Sequence, residues 1–141
     1  MIDLDDNEKA ITEFINNSIT RFQTENGLPT SIGIYCCPWS GWITTNFNIK
    51  TKLSETENNC PDFDFVEYDF MEIPEWENEY ESEHPEFKTN GLVNSHNHEL
   101  GDENINEIVF NYLKPIVIAI KESKNSAFLL QMLDSNFLEV L

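Results

Sequence analysis

The sequence predicts an α+β fold in which helices pack on an antiparallel sheet. Three patterns carry that expectation. Two long stretches, one near each end of the chain, repeat apolar residues at helical spacing. Two β-rich runs flank the turn-forming tetrapeptide Pro38-Trp39-Ser40-Gly41. The last apolar residues are split by Asp134-Ser135-Asn136, as in a second hairpin. Together they read as two hairpins plus a central strand, packed by an N-terminal helix and a long helix in the C-terminal half.

Residues 3–25 predict the first helix. Ile11, Phe14, Ile15, Ile19 and Phe22 form one stripe, and Asp3, Asp5, Asp6 and Glu8 suit the positive end of its dipole. Asn26-Gly27 and Pro29 stop it. The hairpin strands follow at 31–37 and 42–48, and 49–61 reads as a loop. Residues 62–73 predict the central strand, with a slip in alternation near Phe65-Val66 that fits a bulge or a strand covered on both faces. Pro74 followed by carboxylates starts a short helix, preferred over an extended reading of the alternating glutamates; His84-Pro85 ends it. Residues 88–101 read as an Asn-rich loop. Ile105, Ile108, Val109, Tyr112, Ile116 and Ile120 keep phase across Pro115, so one bent helix is expected rather than two elements. A hairpin is preferred for the final stretch, and a helix is its alternative.

A length of 141 residues, 40% of them hydrophobic, suits a single domain over 1–141 with a real core. The formal charge is −18, from 26 acids against 8 bases. Such a surface repels nucleic-acid phosphates and anionic lipid. It attracts basic proteins and speeds encounter with them by about 10 to 10³-fold at low salt. The same acids also serve plain solubility. Cys36, Cys37 and Cys60 have no framework spacing, which points to reduced thiols and a cytoplasmic protein. The N-terminus lacks the pattern of a signal peptide. The longest apolar run, Ile116 to Ile120, is too short to span a bilayer.

The most unusual segment is Asp62 to Glu86, with eleven acids and no Lys or Arg. Phe63, Phe65, Tyr68, Phe70, Trp76 and Tyr80 are interleaved with them. Carboxylates that steer and rings that fill a pocket would make a surface for a basic protein. The competing reading sends the rings into the core and leaves the acids in water. Trp76 and Tyr80, four apart, share one face of a helix. Catalytic readings are weaker. Glu77 and Glu81 could pair as general acid and base only in a cleft that drives their pKa values apart. His96-Asn97-His98 could share a metal with Cys60 or His84, yet no Cys-x-x-Cys or His-Glu-x-x-His pattern exists. Cys36 and Cys37 lie in a strand that reads as core. No phosphate-cradling glycine loop, nucleophile elbow or calcium loop is present.

The lead helix, the hairpin Ile32-Gly33-Ile34-Tyr35 with Trp42-Ile43-Thr44-Thr45-Asn46-Phe47-Asn48, and the run Glu75-Trp76-Glu77-Asn78-Glu79-Tyr80-Glu81 together resemble the small acidic immunity proteins of bacterial polymorphic toxin systems. The likeness is one of style across most of the chain. It implies a cytoplasmic protein that binds a cognate toxin, often a basic nuclease, and blocks its active site or substrate surface. The expectation is therefore an inhibitor, not an enzyme, with no cofactor or metal. Its partner-binding residues would be Asp62, Asp64, Glu67, Asp69, Glu72, Glu75, Trp76, Glu77, Glu79, Tyr80, Glu81 and Glu83. The partner would be a basic protein, with neither direct nucleic-acid contact nor a membrane. Two alternatives stand beside it: a nucleic-acid mimic that captures DNA-binding proteins, and a metal-dependent hydrolase using His96 and His98.

Overall fold

The computed structural model describes residues 1–141. In chain order the elements are β1 (Ile2–Asp3), a 3₁₀ turn (Leu4–Asn7), α1 (Glu8–Asn26), β2 (Ser31–Cys37), β3 (Trp42–Asn48), two 3₁₀ turns (Leu53–Thr56, Cys60–Asp62), β4 (Phe65–Glu72), α2 (Pro74–Tyr80), β5 (Glu86–Thr89), β6 (Leu92–Ser95), a 3₁₀ turn (His98–Leu100), α3 (Glu103–Lys121), β7 (Ala127–Met132) and β8 (Leu138–Val140). The α+β class, both hairpins and all three helices are as expected. No helix is long and apolar enough to cross a membrane.

Four features differ from the single antiparallel sheet and the loop at 88–101 that were expected. There are two sheets, a five-stranded one in the order β4-β3-β2-β7-β8 and a three-stranded one in the order β1-β5-β6. The pairs β2–β7 and β1–β5 are parallel. A parallel neighbour needs a long crossover, and α3 supplies the last part of the one that brings β7 beside β2. The presumed central strand, β4, is an edge. The centre goes to β2, buried at every position but Tyr35, because carboxylates at 67, 69 and 72 would be desolvated there. Finally, the Asn-rich stretch 88–101 contributes β6 and the end of β5. Asn90 at φ +49 and Gly91 at φ +79 make the tight turn that joins them.

One face of the large sheet carries the main core. Ile32, Ile34, Cys36, Ile43, Phe47, Phe128, Leu130 and Met132 meet the apolar stripes of α1 and α3 in a cluster of 24 buried residues. Phe22 of α1 stacks on Phe47 with ring centroids 4.1 Å apart. Each such ring stabilises the fold by roughly 1.5–3 kcal/mol through burial alone. Ser18 and Thr45 share a buried hydroxyl hydrogen bond of 2.6 Å across the helix–sheet seam. α3 runs unbroken through Pro115, whose ring is solvent-exposed.

The opposite face is half covered. Residues 53–63 fold over it, seating Cys60 and Phe63 against Leu129. Gly33 makes room for them: a Cβ there would lie 2.7 Å from Cys60 Sγ and 2.9 Å from Phe63. Gln131 anchors this flap, accepting from Cys60 N at 2.8 Å and donating to Asn59 Oδ1 at 3.0 Å. The slip foreseen near Phe65-Val66 is a register break of β4 on β3, with Glu67 at φ +49. Asn46 Oδ1 accepts the Glu67 N–H at 2.9 Å, so a side chain completes the ladder there.

Candidate functional site

The uncovered half of the outer sheet face holds a row of rings. Register places Leu138, Gln131, Tyr35, Thr44 and Phe70 directly opposite one another across five strands, and Trp42 beside Glu72. Opposed residues share a face, so these side chains form one surface. Tyr35 and Trp42 meet edge to face at 5.7 Å, and Trp42 and Phe70 at 6.0 Å. Phe70 is 49% exposed, Leu138 40% and Val140 46%, whereas Tyr35 and Trp42 are half-buried. Such rings present large, rigid area at little entropic cost. Burial, with the nearby Asp134 carboxylate, raises the Tyr35 phenol pKa and keeps it neutral.

The acids gather at the same end. α1 and α3 both begin where β2 and β7 finish, since Asn7 Oδ1 accepts from Trp76 Nε1 at 3.0 Å and Glu103 Oε2 accepts from Asn136 N at 3.2 Å. The acids of the α1 lead-in, of α2 and of the α3 start therefore lie at that end of the large sheet, and the carboxylates nearest the aromatic row are Glu72, opposite Trp42, and Asp134, near Tyr35. Lys88 is the only base between Lys52 and Lys114, and it lies 3.8 Å from Asp3. Lys50, Lys52, Lys121 and Lys124 sit towards the opposite end, beside the starts of β2 and β7.

The twelve residues expected to bind a partner divide. Asp62, Glu67, Glu72, Glu75, Glu77, Glu81 and Glu83 are exposed. Trp76 is fully buried, which corrects its assignment as a contact residue: Pro74 starts α2 so that this ring enters the core beside α1. Tyr80 is half-buried. Its ring lies 5.0 Å from His96 and 5.1 Å from His98, and its hydroxyl donates to Asp102. Burial and that bond push its pKa up to about 12. Three acids work internally. Asp64 Oδ2 accepts from the N–H groups of Ile49, Lys50 and Thr51 at 2.8, 2.8 and 3.0 Å, which, with the Thr51 hydroxyl, holds its carboxyl well below the usual range. Asp69 pairs with Arg21 at 2.7 Å. Glu79 takes the Glu86 N–H at 3.0 Å and lies 2.9 Å from the Met1 ammonium.

The histidines do come together, with ring centroids 4.7 Å apart. His96 is buried, and its Nδ1 lies 3.0 Å from Asn104 Oδ1. An amide oxygen only accepts, so Nδ1 carries the proton and Nε2 is left as a buried acceptor without a partner. Burial lowers its pKa. No group of three His, Cys, Asp or Glu side chains is placed to hold a metal ion. Cys36, Cys37 and Cys60 are buried and unpaired, and burial raises each thiol pKa, which disfavours the nucleophilic thiolate.

Reasoning from the acid-rich segment alone missed Tyr35 and Trp42. The signal was present in the first hairpin. Ile32, Ile34, Cys36, Ile43 and Phe47 alternate with Ser31, Gly33, Tyr35, Trp42, Thr44, Asn46 and Asn48, and the second set is the face turned from the helices. No family model matches this chain, and no curated protein or solved structure matches it.

Proposed function

We propose that this chain is a binding protein for a basic partner and neutralises it by occupying its surface, in the manner of an immunity protein. One observation carries the reading: an aromatic row, Tyr35–Trp42–Phe70, lies on the uncovered sheet face with Phe70 exposed and the Glu72 carboxylate opposite Trp42. Rings at the centre of an interface carry most of its energy, and carboxylates around them select and steer a cationic partner. The partner-binding residues are then Tyr35, Trp42, Phe70 and Leu138, with Glu67, Glu72, Glu75, Glu77, Glu81, Glu83 and Asp62 as the charged surround. A cytoplasmic location fits the three unpaired thiols.

The test is co-expression with the product of the neighbouring gene, followed by calorimetry. A one-to-one complex that weakens by about 30-fold in Trp42→Ala, the effect of a hot spot worth roughly 2 kcal/mol, supports the proposal. Absence of a complex, or one indifferent to Trp42→Ala and Phe70→Ala, overturns it. A nucleic-acid mimic would instead release its partners to duplex DNA and bind several of them.

A further inference from the structure

We infer that the outer edge of β4 receives an extended, basic segment of the partner as an added strand. This rests on the binding role proposed above and adds how the partner is held. β4 spans Phe65–Glu72 and ends the large sheet, with no strand on its far side. The direction of its backbone groups follows from one contact. Ile73 N donates to Gly41 O at 2.7 Å, so residue 73 faces β3. Alternation in an antiparallel pair makes Met71 and Asp69 face β3 as well, and turns Phe70 and Glu72 outward. Arg21 agrees with that phase, since its Nη2 reaches Tyr68 O, two residues back, at 3.4 Å. The N–H and C=O of Phe70 and of Glu72 are therefore open rungs.

Chemistry selects the occupant. Protein edges are usually blunted by lysine, proline, shortness, a bulge or a covering element. The register break at Glu67, and Arg21 on Tyr68 O, blunt the first half of β4, whereas residues 69–72 have neither lysine nor proline and no bulge. The strand carries Glu67 and Glu72 exposed, next to exposed Val66 and Phe70. A second copy of the same edge would set like charges face to face, which disfavours self-pairing. A strand alternating Lys or Arg with apolar residues matches this edge. Phe70 and Glu72 lie two apart on one face, so the cations set opposite them pair with Glu72 and rest on the exposed Phe70 ring, while the apolar side chains fall on the other face beside Met71. Backbone rungs then give affinity and alternate side chains give selectivity.

The probe is a synthetic hexapeptide alternating lysine with valine, titrated into the ¹⁵N-labelled full chain. Its expected signature is at least tenfold slower hydrogen exchange at the Phe70 and Glu72 amides, with Met71 unchanged because it is already paired. A peptide with glutamate in place of lysine should give no such effect. Glu72→Pro removes an outward N–H without breaking a rung to β3, and should weaken peptide binding at least tenfold, whereas Glu72→Gln should cost only a few-fold. The exchange measurement on the unsubstituted chain needs no variant, so the test holds even if Glu72→Pro perturbs the fold. Unchanged exchange at Phe70 and Glu72 with the peptide bound overturns the inference. If the whole partner binds Glu72→Pro normally but not Trp42→Ala, the edge mode fails and the face-binding role survives.

Discussion

On α2, Trp76 and Tyr80 turn inward, Trp76 into the core and Tyr80 onto His96, while the glutamates between them face water. On the outer sheet face, Phe70 is exposed, Tyr35 and Trp42 are half-buried beside it, and Glu72 lies opposite Trp42. Both regions mix rings with carboxylates, yet only the second keeps an aromatic edge available. The difference lies in what covers each element. α2 packs against β1 and reaches the starts of α1 and α3 through Trp76–Asn7 and Tyr80–Asp102, so its aromatic stripe is consumed in packing. The sheet has helices on one side and only the short flap 53–63 on the other, so part of its second face stays bare.

Substitutions that separate the two regions should differ most in stability. Trp76→Ala empties a fully buried site and orphans Asn7, and is expected to cost about 3–5 kcal/mol in urea unfolding. Phe70→Ala, half-exposed, should cost under about 1 kcal/mol in the same measurement. An equal loss at both positions would erase the distinction. Affinity should rank the other way, with Trp42→Ala weakening partner binding by roughly 2 kcal/mol and Glu83→Gln changing it little. Salt sharpens the point. Raising ionic strength from about 0.01 to 0.15 M shortens the Debye length from about 30 to 8 Å, so stopped-flow association should slow by about tenfold or more.

The two regions should also answer acid differently. Asp64, at the foot of the flap, has a depressed pKa in the folded state. Its stabilisation is present above the unfolded value, about 3.9, and is lost as pH falls below it. Asp64→Asn should therefore lower stability at neutral pH by about 1 kcal/mol and flatten the acid limb below about pH 4. His96, beside α2, is depressed by burial, so the unfolded chain takes up its proton first. Stability should decline as pH falls through about 6.5, and His96→Gln should remove that part of the slope. Urea titrations at a series of pH values read both.

Local pattern in the sequence was enough for the helices, the first hairpin and the interruption in β4, because each is written in spacing or turn chemistry. The continuity of α3 through Pro115 was legible too, since the apolar phase runs through it. What was not legible depends on partners distant in sequence. Nothing near Phe128 says that β7 will lie parallel to β2 and make β2 the centre. The inward turn of Trp76 was equally hidden: a four-residue spacing says that Trp76 and Tyr80 share a face, not where that face points. Asp64 and Asp69 looked like surface charge, and their hydrogen bonds appear only when the flap and α1 are in place. Trp42 could have been found from hairpin alternation, but a search led by acid density passed it by.

The most direct test follows the indole N–H signals of Trp39, Trp42 and Trp76 in the ¹⁵N-labelled chain as the neighbouring gene's product is added. Trp42 should shift or broaden strongly, together with the amides of Phe70 and Glu72, while Trp76 stays fixed. A bound complex that leaves Trp42 unmoved, with its changes centred on Glu75 and Glu77 instead, would contradict the account.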